Sequence, residues 1–318
     1  MFKIQSITKK IFIALLGGFL LLFLLFHAVA NLCILRHDGG TWYSNFCHFM
    51  GTNYIVKIFE IVLLAALVCH IVFTIIITIQ NRGKRPVPYR MPSKTKTATG
   101  SKFMIWTGLL IVVGLGVHFV DFYFVKLGLV KGNYMVEVES IQSEELSSLA
   151  GAVMQSGLSP DEFIISYEEQ IESMSAQLSP DQVAEAKKNA ESLKALVPVM
   201  NFMSTLTDDN FSEDGNRIYN VTYEDKQILE AAIPEVEIEP DFYYMTREKF
   251  KKPVFVIVYL IFFVVLWFHL RHAFQSMFQT LGLVNYKYYP AIDMTAKIYA
   301  CLVFLMFTIV AVGIYLGL

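Results

Sequence analysis

Five histidines lie inside long apolar runs of this 318-residue sequence: His27, His70, His118, and the pair His269 and His272. An ionisable side chain is costly in hydrocarbon, so each is a functional candidate by position alone. A neutral imidazole nitrogen is a good axial ligand for haem iron. A lone histidine of this kind is more simply explained by a hydrogen bond to a neighbouring helix, so the set carries the argument and no single member does. His272 follows His269 by three residues and shares its side of a helix, which leaves either available as the ligand. Cys33, Cys47, Cys69 and Cys301 form neither CxxC nor CxxCH, so any haem here is held non-covalently. Cys33 and Cys47 flank one short loop, where plain burial explains them better than a disulfide.

These residues need elements to hold them. The chain is 55% hydrophobic, and its apolar residues cluster into runs at about 11–35, 53–80, 103–126, 253–282 and 294–318, each reaching the ~20 residues that cross a bilayer. Lys9 and Lys10 before a run that ends in Ala28-Val29-Ala30 imitate a signal peptide, but the run is too long for one. The expected fold is all-α and polytopic: five transmembrane helices, with spans one to three in residues 1–126 and spans four and five in 253–318. Residues 81–102 carry Arg82, Lys84, Arg85, Arg90, Lys94, Lys96 and Lys102 and no acid, which places that loop and the N-terminus in the cytoplasm. The C-terminus and residues 127–252 then fall outside. Arg247, Lys249, Lys251 and Lys252 run against this orientation, although long loops translocate largely regardless of charge.

Depth now pairs the histidines. At ~1.5 Å per residue, His27 and His118 lie ~23–25 Å from the cytoplasmic face, while His70 and His269 lie ~25 Å from the outer face. Two ligand pairs at two levels are what two stacked bis-histidine haems require, which makes spans one to four a haem-binding core. Gly17, Gly18, Gly114 and Gly116 are positions where a flat macrocycle could approach the backbone.

Residues 127–252 read differently. Net charge over the chain is −2, yet roughly two dozen of its acids fall between Gly132 and Met245 against about five bases. Ser159-Pro160-Asp161 and Ser179-Pro180-Asp181 each offer an N-cap serine, a proline at the first helical position and an acid in the first turn. The expected insertion is small, acidic and mostly helical, its charge a solvated surface with partner docking as the sharper alternative. Asn210-Phe-Ser and Asn220-Val-Thr match the glycosylation pattern weakly.

Several segments carry a resemblance to a known family: Phe26-His27-Ala28-Val29-Ala30-Asn31-Leu32; Asp38-Gly39-Gly40 with Phe46-Cys47-His48-Phe49-Met50; Phe59-Glu60-Ile61 leading to Cys69-His70; and Phe268-His269-Leu270-Arg271-His272-Ala273-Phe274-Gln275-Ser276 through Leu283. Over roughly residues 10–126 and 245–318 the chain resembles the cytochrome b membrane anchor of succinate dehydrogenase and fumarate reductase, in its single-chain, five-helix, two-haem bacterial form. The resemblance implies two haem b groups, the outer on His27 and His118 and the inner on His70 and His269, with His272 as runner-up. It implies a bacterial cytoplasmic membrane, a flavoprotein subunit and an iron–sulfur subunit docked on the cytoplasmic side, and quinone, in particular menaquinone, as the redox partner. An assembled complex of this kind is able to dimerise. Two departures stand out: the long acidic insertion, where the family has a short connection, and Trp267, where some members carry a glutamate two residues before the span-four histidine.

Quinone chemistry also needs proton-exchanging groups near the membrane surface, and Asp38, His48 and Glu60 are the candidates at the outer ends. No GxGxxG or Walker sequence appears, so dicarboxylate chemistry belongs to another chain, no catalytic residue for it is expected here, and nothing points to nucleic acid. The alternatives are the cytochrome b anchor of a hydrogenase or formate dehydrogenase, and a receptor or transporter with an external ligand-binding domain. Haem content separates the last from the rest.

Overall fold

The computed structural model describes residues 6–83, 99–212 and 215–318. Most of the basic 81–102 loop, and Lys3, lie outside the described residues. In chain order, span one is Ser6–Leu32 with a short 3-10 turn at Cys33–Leu35, Thr41–Thr52 is a separate helix, and span two is Tyr54–Gly83. Span three runs from Thr99 to His118, passes through a π-turn at Phe119–Tyr123 and closes with one helical turn at Phe124–Lys126. Spans four and five are Pro253–Thr280 and Tyr289–Leu316. All five are long and apolar enough to cross a membrane, and the chain is an all-α polytopic membrane protein. Helices suit this setting because every backbone N–H and C=O is satisfied within the segment.

Three spans start earlier than their apolar runs suggest, span three by four residues at Thr99. Span one begins at Ser6 with Lys9 and Lys10 inside the helix, where long stems let the ammonium groups reach water. Span five begins at Tyr289, with Pro290 in its first turn, and contains Asp293 and Lys297. Their charges are compensated: Lys297 Nζ pairs with Asp293 at 2.5 Å, and the buried Gln275 amide of span four donates to the same carboxylate. A hydropathy reading stops at Asp293; the folded helix continues because that residue is paired.

The chain divides into two compact units, one made of Met1–Tyr123 with Thr246–Leu318 and the other of Phe124–Met245. In the first, spans one and four are central: span one packs on spans two, four and five, and span four on spans one, three and five. Ala28, Ala300 and Val303 have no exposed surface, and Leu21 and Leu270 complete their cluster. Small residues at such a seam let helix backbones approach closely, which is how helices associate where lipid removes the hydrophobic drive. The Tyr299 hydroxyl donates to the Leu21 carbonyl at 2.6 Å, tying span five to span one.

The second unit has the helices at Pro160–Met174 and Pro180–Ser204, each with its serine capping box closed, by Glu162 and Gln182 respectively. Helices at Glu144–Ser156 and Tyr223–Ala232 join them. The structure adds a three-stranded antiparallel sheet in the order β2-β1-β3, formed by Tyr134–Glu137 (β1), Arg217–Val221 (β2) and Ile238–Pro240 (β3). Strands of three to five residues are too short to carry a period-2 signal in sequence. Both glycosylation-pattern asparagines are structurally engaged: Asn210 Oδ1 closes a cap with Thr207, and Asn220 Oδ1 accepts from Asn133 at 2.7 Å.

Beside the sheet Asp241 is 1% exposed, and its carboxylate accepts the Tyr244 N–H at 2.8 Å, capping the Phe242–Phe250 helix. Burial pushes its carboxyl up from 3.8 to about 6, against the opposing pull of backbone N–H groups at Tyr244, Asn220 and Tyr243. A folded-state value above the unfolded one means that the folded unit holds this proton more tightly. The residue's stabilisation is therefore fully present below pH 3.8 and is lost as pH rises through about 6. Protonation of Asp241 is worth up to ~3 kcal/mol on this reckoning. Hydrogen exchange of the Tyr134–Glu137 amides in the full chain, corrected for intrinsic rates, should show protection falling between pH 4 and pH 7, and Asp241→Asn should flatten that slope.

Candidate functional site

The histidines of spans one and three meet. The rings of His27 and His118 have centres 6.0 Å apart at an interplanar angle of 77°. Two imidazoles that ligate one metal ion from opposite sides, at ~2 Å from metal to nitrogen with the ring centre ~1 Å further back, stand ~6 Å apart. Aromatic rings enclose this first tier. Phe23 stacks on His27 at 5.4 Å and Phe307 of span five lies 5.9 Å from it, while Phe122 and Phe119 lie 5.3 and 6.3 Å from His118. Asn31, one turn past His27, donates to the His27 carbonyl at 2.8 Å and accepts the Tyr43 hydroxyl at 3.2 Å.

The second tier is carried by spans two and four. His269 lies within electrostatic reach of His70 and of His272. Thr107 Oγ1 of span three is 3.2 Å from His269 Nδ1, and a Cβ added to Gly108 would stand 3.5 Å from His269 Cε1. Of the span-four pair, His269 is thus the one whose ring meets span three. On the other side a Cβ at Gly17 would stand 3.4 Å from His70 Cε1. The His70 ring is hydrogen-bonded to the Ile13 backbone, yet its Nδ1 is buried with no partner. Gly17 precedes His27, and Gly108 precedes His118, by ten residues, so the two tiers are ~15 Å apart along the helices.

Glycine roles divide more finely than composition suggests. Gly17 faces a histidine, and so does Gly108, which the sequence reading did not single out. Gly18 instead admits Met277, Gly114 admits the Phe262 ring, and a Cβ at Gly116 would meet nothing within 4 Å. Two of these are therefore helix contacts, made where one side chain of span four must fit against a neighbouring backbone.

The proton-exchange candidates separate as well. Asp38 accepts Arg36 Nε at 3.0 Å and the Gly40 N–H at 3.2 Å, which makes it the turn residue before the Thr41–Thr52 helix. His48 lies on that helix, and its carbonyl accepts the Thr52 hydroxyl at 2.8 Å. Glu60 of span two is hydrogen-bonded to Tyr123, at the end of the π-turn of span three. Sequence reasoning missed Asp121 in the same turn, although an acid inside a span is itself a signal. Its carboxylate takes Lys249 Nζ at 2.7 Å and the Tyr259 hydroxyl at 2.9 Å. Trp267 donates its indole N–H to Cys301 Sγ at 3.3 Å.

Among the described residues no group of three or more His, Cys, Asp and Glu gathers as a metal cage. Each tier offers two imidazoles, which suits a metal whose remaining positions are filled by a macrocycle. The buried His70 Nδ1, which has no hydrogen-bond partner, fits such a group. No family model, no curated protein and no solved structure matches this chain.

The registry of spans three and four can be tested without any ligand. Gly114→Leu drives a side chain into Phe262 and should cost ~1–3 kcal/mol of stability. Gly116→Leu should be near neutral. Thermal unfolding of the two variants in detergent provides the comparison.

Proposed function

We propose that this chain is a di-haem cytochrome b, the membrane anchor of a succinate dehydrogenase or fumarate reductase complex. The observation that carries the reading is the 6.0 Å separation of the His27 and His118 rings, the spacing of two imidazoles on one metal; His70 and His269, which interact electrostatically, supply a second pair of imidazoles. Two haem b groups bound here would supply one-electron transfer across the membrane. The protein's part would be to hold them, one by His27 and His118 and the other by His70 and His269, with Thr107 orienting the His269 ring through Nδ1.

Quinone is the redox partner in this reading, and Glu60 with Tyr123 is the pair placed to exchange its protons, a carboxylate and a hydroxyl already sharing a hydrogen bond. Asp38 and His48 stand behind them as weaker candidates. The basic 81–102 stretch orients the chain with its N-terminus in the cytoplasm of a bacterial cell, so that the first tier lies toward the outside and residues 127–252 are external. A flavoprotein and an iron–sulfur subunit would dock on the cytoplasmic side, and the dicarboxylate chemistry would be theirs.

The test is the dithionite-reduced minus oxidised spectrum of the chain purified in detergent, with haem quantified. Two b-type haems per chain are expected, falling to about one in His27→Ala and again in His269→Ala, each removing an axial ligand of a different tier. Haem retained at the wild-type level in His269→Ala would transfer that ligand role to His272. A wild-type chain without haem overturns the proposal.

A further inference from the structure

We infer that Asp121 is a positioning residue for the first histidine tier, acting from a π-turn that it anchors to span four. This rests on the reading of the tiers as haem-ligand pairs and adds a residue that the reading does not contain.

A π-turn is rare and frequently lies at a functional site. Here it starts directly after His118 and spans Phe119–Tyr123. Two of its own side chains, Phe119 and Phe122, pack against the His118 ring. Whatever holds this turn in place also holds the rings that wedge His118.

Asp121 is what holds it. Its side chain is 9% exposed, and an acid at that depth requires compensation. Lys249 supplies the opposite charge at 2.7 Å and Tyr259 donates its hydroxyl at 2.9 Å, both from the polypeptide that leads into and forms span four. From Tyr259 the contacts continue back to the other ligand of the tier. Its ring lies 5.9 Å from Phe263, which stacks on Phe307 at 5.3 Å, which in turn lies 5.9 Å from His27. Asp121 therefore closes a circuit through both histidines of the first tier: by way of Phe122 to His118, and by way of Tyr259 and its neighbouring rings to His27. The second tier takes its support elsewhere, from Gly17, Gly108 and Thr107. An effect confined to one tier is the signature of this arrangement.

Single-tier backgrounds make that signature readable. In His269→Ala only the first haem remains, and in His27→Ala only the second. Asp121→Asn, introduced into each, should speed haem release to an apo-globin scavenger by on the order of 10–100-fold in the first background and leave the second unchanged. Tyr259→Phe, a milder change that keeps the ring, should give the same selectivity with a smaller effect. Pairing Asp121→Asn with Lys249→Met removes the stranded charge; it should restore thermal stability without restoring first-tier retention. Equal acceleration in both backgrounds, no acceleration in either, or full recovery of retention in the double variant would each overturn the inference while leaving the di-haem reading intact. A wild-type chain without haem would overturn both together.

Discussion

A histidine in hydrocarbon has ring nitrogens that water does not reach, and the packing of this bundle is arranged around four of them. Each ring is placed against another helix. His27 and His118 face each other across spans one and three; His269 meets Thr107 and Gly108 of span three; His70 meets Ile13 and Gly17 of span one. Those contacts tie span to span at two depths. In the second tier Gly17 and Gly108 lie beside the His70 and His269 rings, where an added Cβ would make ordinary contact at 3.4 and 3.5 Å, whereas the first tier closes by direct approach of the two rings.

Span four carries the most demanding packing. It presents Phe262 to Gly114, His269 to Gly108, Leu270 to the central cluster and Gln275 to Asp293. Apolar surface alone does not fix such an arrangement in lipid, since a side chain gains little by leaving one hydrocarbon environment for another. Close steric fit and paired polar groups do. The Asp121, Lys249 and Tyr259 contacts and the Gln275–Asp293 hydrogen bond are polar fastenings of that kind, each joining different segments, while Lys297 pairs with Asp293 one turn along the same helix. They show how a span can hold a charged residue: the charge is placed where a partner, from another segment or from the next turn, compensates it.

The unit from Phe124 to Met245 obeys the rules of water-soluble domains. Acids are inexpensive on a solvated surface, and its helices begin with serine capping boxes that satisfy their own first N–H groups. Among its described residues the one fully enclosed carboxylate, Asp241, is held by backbone N–H groups at the junction of sheet and helix, and it keeps its proton to a higher pH than an exposed aspartate does.

Composition and spacing alone determined the five spans, the acidic insertion, its two proline-started helices and the four histidines, because each of these rests on local runs or short offsets along one chain. Helical rise put His27 and His118 at one level, where their rings meet, since depth along a straight helix is a linear function of residue number. Tertiary structure decided the rest. Gly108 and Gly114 take their roles from side chains more than a hundred residues away, and Gly116, two residues along, has none. Asp121 stands out in sequence only as an acid inside a span, and its role is set by Lys249 and Tyr259 beside it. The three short strands pair segments separated by dozens of residues, and the start of span five depends on a partner in span four. In every one of these cases the deciding contact is long-range, and no periodicity within a single element encodes it.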